Sequence, residues 1–228
     1  MHPSAIRNCR HFFECYGGYL PRPGRVVEVG SQDVNGSLRE LCPTGMEYIG
    51  VDFAAGKGVD LVLSDPYKLP FDNETVDLVV CSSALEHSEM FWVSYLEMLR
   101  ILKATGLIYI LVPSNGDVHR YPVDCWRFYP DSGQALVAWA KRNGMNPALL
   151  ECYTSLQVDD QWNDYASVFV KDEAAAEIYP RRILETKSDY INGWIRGGSG
   201  FLKAVAKPED KLKLEAIMTA YLDLIKPV

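Results

Sequence analysis

Short apolar runs at 25–29, 47–52, 76–82, 107–112, 149–156 and 165–171 alternate with stretches of helical period, and this alternation organises the first 171 positions of the chain. Runs of this length, bounded by glycine and proline, predict buried strands, whereas apolar residues recurring every three to four positions predict amphipathic helices. An N-terminal helix is expected over 6–16, closed by Gly17-Gly18 and followed by Pro21 and Pro23 at the entry to the first strand. A second helix is expected to begin near 35–37. A third, over 88–103, would place Trp92, Tyr95, Leu96, Leu99 and Leu102 on one face, with Ser88 as its N-cap and Gly106 past its end. A fourth, over 131–142, is opened by Pro130-Asp131-Ser132 and closed at Asn143-Gly144. Strands and helices in this order predict an α/β fold, a doubly wound and mostly parallel sheet.

One stretch does not fit. Only six residues separate Asp52 from the apolar run 59–63, and a parallel crossover with its helix needs about ten to twelve. Either 59–63 is a short edge strand, or the sheet face beside the second strand is covered by something else. The tail offers a cover, because 208–226 is a capable helix with Leu214, Ile217, Met218, Tyr221 and Ile225 on one face. The chain therefore divides into a sheet domain, 1–171, and a helical C-terminal appendage, 172–228, packed on that domain or against a second copy in a homodimer.

Composition narrows the class. A net charge of −7 provides no basic stripe, which disfavours a nucleic-acid partner. The longest apolar stretch, 107–113, falls far short of the roughly 20 residues that span a bilayer, so no membrane partner is expected. Six cysteines without a CxxC pair, and an N-terminus without an apolar leader, point to reduced thiols in a cytoplasmic protein.

The most specific chemistry lies in Val26-Val27-Glu28-Val29-Gly30 with Gly36, followed by Tyr48-Ile49-Gly50-Val51-Asp52. A strand, a glycine turn, and a second strand ending in an acid make a corner that holds a nucleoside, the acid accepting from the ribose hydroxyls. A dinucleotide turn counted from Gly30 would need glycines at 32 and 35, where this chain has Gln32 and Asn35. That argues against a nicotinamide oxidoreductase. Glu28, before the glycine, suits a cationic ligand and repels a phosphate.

With Ser64-Asp65-Pro66, Leu69-Pro70-Phe71, Val76 to His87 and the strand ending at Pro113, these motifs resemble the class I S-adenosylmethionine-dependent methyltransferases of the small-molecule, type 11-like kind, over residues 25–114. The resemblance implies a Rossmann-like sheet with an antiparallel final hairpin and S-adenosylmethionine as cofactor. Its cofactor residues would be Glu28, Gly30, Ser31, Gln32, Gly36, Asp52, Phe53, Asp65, Pro66 and Ser82. Gln32 departs from the family pattern, which has glycine there. Phe53 either stacks on adenine or enters the core; Asp65 accepts from the adenine amino group or closes an Asp-Pro turn.

Two histidines fall at the carboxyl end of the sheet. His87 follows the 76–82 strand, and His119 opens a segment, 119–130, rich in arginines and aromatic residues. His119 and His87 are the candidate bases for a hydroxyl acceptor. Arg120, Tyr121, Trp126 and Arg127 would bind the acceptor, the arginines gripping an anion by forked hydrogen bonds and the rings stacking on it. Asp159-Asp160 beside Trp162 could suggest a divalent ion, but adjacent acids more often form a solvated turn, and no metal site is assigned. The expected activity is methyl transfer to a hydroxyl of a small molecule or glycan. The alternative is a non-catalytic cofactor-binding subunit of another enzyme.

Overall fold

The computed structural model describes residues 2–158 and 161–225. The acid pair Asp159-Asp160 and the last residue of the expected tail helix, Lys226, lie outside them. Among the described residues, eight strands form one mixed sheet: β1 (Gly24–Val29), β2 (Met46–Asp52), β3 (Leu61–Val62), β4 (Val76–Ser82), β5 (Leu102–Pro113), β6 (Ala148–Ser155), β7 (Asp164–Val170) and β8 (Tyr190–Ile195). Their order is β3-β2-β1-β4-β5-β7-β6-β8. The first five pair in parallel, and β7, β6 and β8 are antiparallel.

The described residues also form four α-helices: α1 (Pro3–Tyr16), α2 (Phe91–Ile101), α3 (Ser132–Arg142) and α4 (Glu209–Leu224). Strand residues alternate between two cores. Val26, Leu78, Val80, Tyr109 and Val168 face α1, where Phe12 and Tyr16 pack. Val27, Val79, Cys81, Ile108 and Phe169 face α2 and α3, against Tyr95, Leu99 and Leu136. Burial on both faces explains why the central strands read as unbroken apolar runs.

The helix expected from 35–37 is replaced by a turn, in which the Gly36 amide donates to Asp33 Oδ1 at 2.7 Å, and a 3-10 turn over Leu38–Leu41. Pro43 ends that stretch before an α-helix can establish itself. Its place on the sheet is filled by α1, with Leu38 joining the core beside Phe12 and Tyr16. Ser88 does not cap α2. A 3-10 turn over Leu85–His87 intervenes, and the helix starts from Met90 without a side-chain cap.

The run 59–63 contributes the short edge strand β3, parallel to β2. The tail helix does not cover that edge. Its first turn instead docks beyond β6 and β7: Glu209 accepts from the Gln157 amide and from Asn163 Nδ2, at 2.9 and 2.7 Å, and Asp210 accepts from Asn115 Nδ2 at 2.7 Å. No residue of α4 is buried. The β2 edge is held by Arg39, which ion-pairs with Asp60 and lies over the Tyr48 ring. Asp60 in turn accepts from the Gly50 amide at 2.7 Å. Nor is 172–228 wholly helical, since β8 adds an eighth strand to the sheet beside β6, beyond the expected final hairpin.

Candidate active site

β1 has β2 on one side and β4 on the other, so the connections leaving the carboxyl ends of β1 and β4 diverge and open a crevice there. A cleft of about 610 Å³ occupies this place. That volume falls within the range of small-molecule and cofactor sites. Gly30, Gln32, Asp52, Phe53, Pro66 and Ser82 line one part of it, and His87, His119, Arg120 and Tyr121 line another.

Gly30 turns the chain out of β1 at φ +81°, and its amide donates to the Val51 carbonyl at 2.9 Å. A Cβ at this position would lie 2.3 Å from that of Ala84, so the close approach of the β1 and β4 loops requires glycine. Asp52 closes the corner. Its carboxylate accepts from the Gln32 amide at 3.1 Å and from the Ala54 amide at 3.2 Å. Both carboxylate oxygens keep a further lone pair for a ligand. Phe53 is half exposed on the cleft wall rather than in the core. Ser82 Oγ is buried on that wall without a hydrogen-bond partner.

Four expected cofactor residues do not face the cleft. Strand alternation places Glu28 with Val26 and Val80 on the α1 side, where the Tyr48 hydroxyl donates to its carboxylate at 2.8 Å. Burial raises the Glu28 pKa to about 7, against the lowering effect of that hydrogen bond. Ser31 is buried against Gly50, where an added Cβ would meet its Oγ at 2.6 Å. Gly36 belongs to the Asp33 turn and lies under Ile6. Asp65 accepts from the Tyr67 amide at 2.8 Å and so closes a turn, leaving its neighbours Ser64 and Pro66 on the cleft wall.

The 119–130 segment splits by role in the same way. Arg120 and Tyr121 reach the cleft, and the Tyr121 hydroxyl donates to Gln32 Oε1 at 2.8 Å. Arg127 and Trp126 instead brace the segment from behind. Arg127 grips both oxygens of Asp124, at 2.6 and 2.8 Å, and donates to the Asp117 carbonyl at 2.9 Å. This pairing holds the Asp124 carboxyl down at about 2. Trp126 Nε1 donates to the Ser88 carbonyl at 2.8 Å, and its ring packs on Phe91 and Trp92.

His87 and His119 meet edge to face with ring centroids 4.9 Å apart. Burial lowers the His87 pKa, opposed by its hydrogen bond to Val123. Glu86, which sequence reasoning missed as a site residue, lies beside them, and burial raises its pKa to about 8. It stands in the Leu85-Glu86-His87 run, but only the fold brings that run against His119. Ser83 was also missed: it lines the cleft at φ +51°, an uncommon backbone conformation for a residue with a side chain.

A family profile described as a methyltransferase domain matches residues 29–110. No curated protein matches the sequence. Solved structures share the fold at low identity. The Burkholderia thailandensis 1,6-didemethyltoxoflavin-N1-methyltransferase, with bound 1,6-didemethyltoxoflavin and S-adenosylhomocysteine, is 12% identical with a TM-score of 0.55, over 75% of this chain and 79% of its own. The [4+2]-cyclase SpnF is 12% identical with a TM-score of 0.54, over 73% of this chain and 81% of its own. The YcgJ protein of Bacillus subtilis is 14% identical with a TM-score of 0.51, over 75% of this chain and all of its own. The profile match is to a methyltransferase domain over residues 29–110, and the solved structures share the fold of this chain. Among the described residues, no helix is long and apolar enough to cross a membrane.

Proposed function

We propose that this chain binds S-adenosylmethionine in the cleft and methylates a hydroxyl of a small molecule or glycan. The observation that carries the reading is that the Gly30–Asp52 corner lines the same cleft as His87, His119 and Arg120. Asp52 would hold the ribose hydroxyls with its remaining lone pairs, and Phe53 with Pro66 would flank the base. Bound there, S-adenosylmethionine supplies a methyl group on a positively charged sulfur. Arg120 and Tyr121 would orient the acceptor from the opposite wall. Alignment of two reactants in such a cleft is worth roughly 7 to 11 kcal/mol. A hydroxyl acceptor must also lose a proton, and the His87–His119 pair supplies the groups that manage it, an effect of roughly a hundredfold to ten-thousandfold.

The test is calorimetry with S-adenosylhomocysteine, followed by a screen of sugar nucleotides, free glycans, phenols and amines for S-adenosylhomocysteine release. Cofactor binding with turnover of a hydroxyl substrate is the expected result. Turnover of amines alone would replace the hydroxyl reading. Binding without turnover across the panel would favour a non-catalytic partner subunit, and tight NAD binding without S-adenosylhomocysteine binding would reject the reading altogether.

A further inference from the structure

We infer that Glu86, His87 and His119 form a binding site for one divalent transition-metal ion at the wall of the cleft. One nitrogen or oxygen from each of the three residues lies within 4.8 Å of the others. His87 Nε2 is 3.7 Å from Glu86 Oε1, longer than a hydrogen bond. Donor atoms sharing an ion at about 2.0 to 2.2 Å stand roughly 3 to 3.5 Å apart. An ion would draw the three donors together to that spacing, and His119, a third of whose side chain is exposed, is the least buried of them.

Glu86 is 1% exposed, and neither carboxylate oxygen has a hydrogen-bond partner. A buried carboxylate without partners is costly, and a cation is the ligand that satisfies it most completely. The histidines are also prepared as ligands. His87 Nδ1–H donates to the Val123 carbonyl at 2.6 Å, and because a carbonyl can only accept, this ring carries its proton on Nδ1 and leaves the Nε2 lone pair available, the arrangement that orients metal-bound imidazoles. His119 Nδ1 lies 3.1 Å from the Asp117 carbonyl and 3.5 Å from Arg127 Nη2, contacts that fix the orientation of its ring. Arg127 does not compete for Glu86, since its guanidinium is committed to Asp124.

Two imidazoles and one carboxylate select a borderline first-row ion such as Zn²⁺, Co²⁺, Fe²⁺ or Mn²⁺ over Mg²⁺ or Ca²⁺, and they leave coordination positions open. An oxygen of the acceptor could fill one of them, and an ion there would lower the pKa of a bound hydroxyl so that its proton passes to solvent water, the two histidines then serving as ligands in place of a base role. This role goes beyond the methyltransferase reading, and ion binding can be measured with no methyl transfer at all.

The test uses the full chain, freed of metal by dialysis against chelator and titrated with Co²⁺ and with Zn²⁺ by visible absorption and calorimetry. One ion per chain is expected. Glu86→Gln and His119→Gln should each weaken Zn²⁺ binding at least tenfold, while His11→Gln, on the outer face of α1, should leave it unchanged. S-adenosylhomocysteine affinity within a few-fold of wild type shows that each variant has folded, and His119→Gln, at the more exposed position, keeps the test decisive if Glu86→Gln does not fold. Absence of a stoichiometric ion would overturn the site and leave Glu86 as a neutral buried acid. So would equal affinity in wild type and His119→Gln, or a thiolate-to-cobalt absorption band, which would assign the ion to a cysteine.

Discussion

The Tyr121 hydroxyl donates to Gln32 Oε1 at 2.8 Å, joining the loop after β1 to the segment after β5 across the mouth of the cleft. Gln32 occupies the position where the family pattern has glycine, so this departure gives the loop a side chain with which to hold the opposite wall. Tyr121→Phe and Gln32→Ala should each speed cofactor dissociation. A double-mutant cycle should return a coupling of about 0.5 to 1.5 kcal/mol, the net worth of one such bond. Stopped-flow release of S-adenosylhomocysteine measures it, and strict additivity of the two changes would disprove the strap.

Asp52→Ala should weaken S-adenosylhomocysteine binding by roughly 2 to 3 kcal/mol, because hydrogen bonds to a charged group are worth about 1.5 to 3 kcal/mol each and do not add fully. It should also lower the melting temperature, since Asp52 accepts from the amides of Gln32 and Ala54. Asp52→Asn keeps one acceptor oxygen and should fall between the two. Calorimetry and thermal melts on the same samples separate the two losses.

Arg127→Ala should reduce turnover while leaving cofactor affinity within a few-fold if the 119–130 segment binds the acceptor, because Arg127 braces that segment through Asp124 and Asp117. Arg127→Lys should not restore turnover fully, since an ammonium cannot grip both carboxylate oxygens in the forked geometry. Arg120→Ala should instead raise the acceptor KM, as its side chain lies on the cleft itself. Steady-state kinetics on the three variants distinguish a brace from a contact.

Glu28 gives the protein a pH dependence of defined sign. Its pKa rises from 4.5 to about 7 on folding, so the folded state holds a proton that the unfolded chain releases. Stability from this group is therefore present below about pH 4.5 and is lost as the pH climbs to about 7, by roughly 3 kcal/mol at most. Glu28→Gln should melt above wild type at pH 8, and the difference should shrink toward pH 5. Because Glu28 faces α1 rather than the cleft, its S-adenosylhomocysteine affinity should stay within a few-fold.

Truncation after Lys207 should change the melting temperature by only a few degrees. No residue of α4 is buried, and its attachment includes the small set of hydrogen bonds made by Glu209, Asp210 and Lys213. A shift of 1 kcal/mol corresponds to about 2 to 4 °C in a domain of this size. Scanning calorimetry checks the outcome, and sedimentation of the same sample shows whether the exposed Leu214, Ile217 and Tyr221 pair two copies.

Local sequence was sufficient wherever one segment settles the question by itself. The 76–82 run became β4 with the same bounds, 131–142 became α3 to within a residue, and Gly30 and Asp52 both line the cleft, because apolar period, turn residues and strand ends are written in consecutive positions. The six-residue gap after Asp52 excluded a crossover helix and left two readings, of which the structure takes the short edge strand β3. Tertiary structure decided what depends on partners far apart in sequence. It set α1 on the face where a helix after Gly36 was expected, turned Glu28 toward Tyr48, and made Arg127 a brace, because which way a side chain points depends on what packs against it. It also brought Glu86 and His87, after β4, against His119, after β5. Those two strands are neighbours in the sheet although more than thirty residues separate the histidines, and no local pattern encodes that distance.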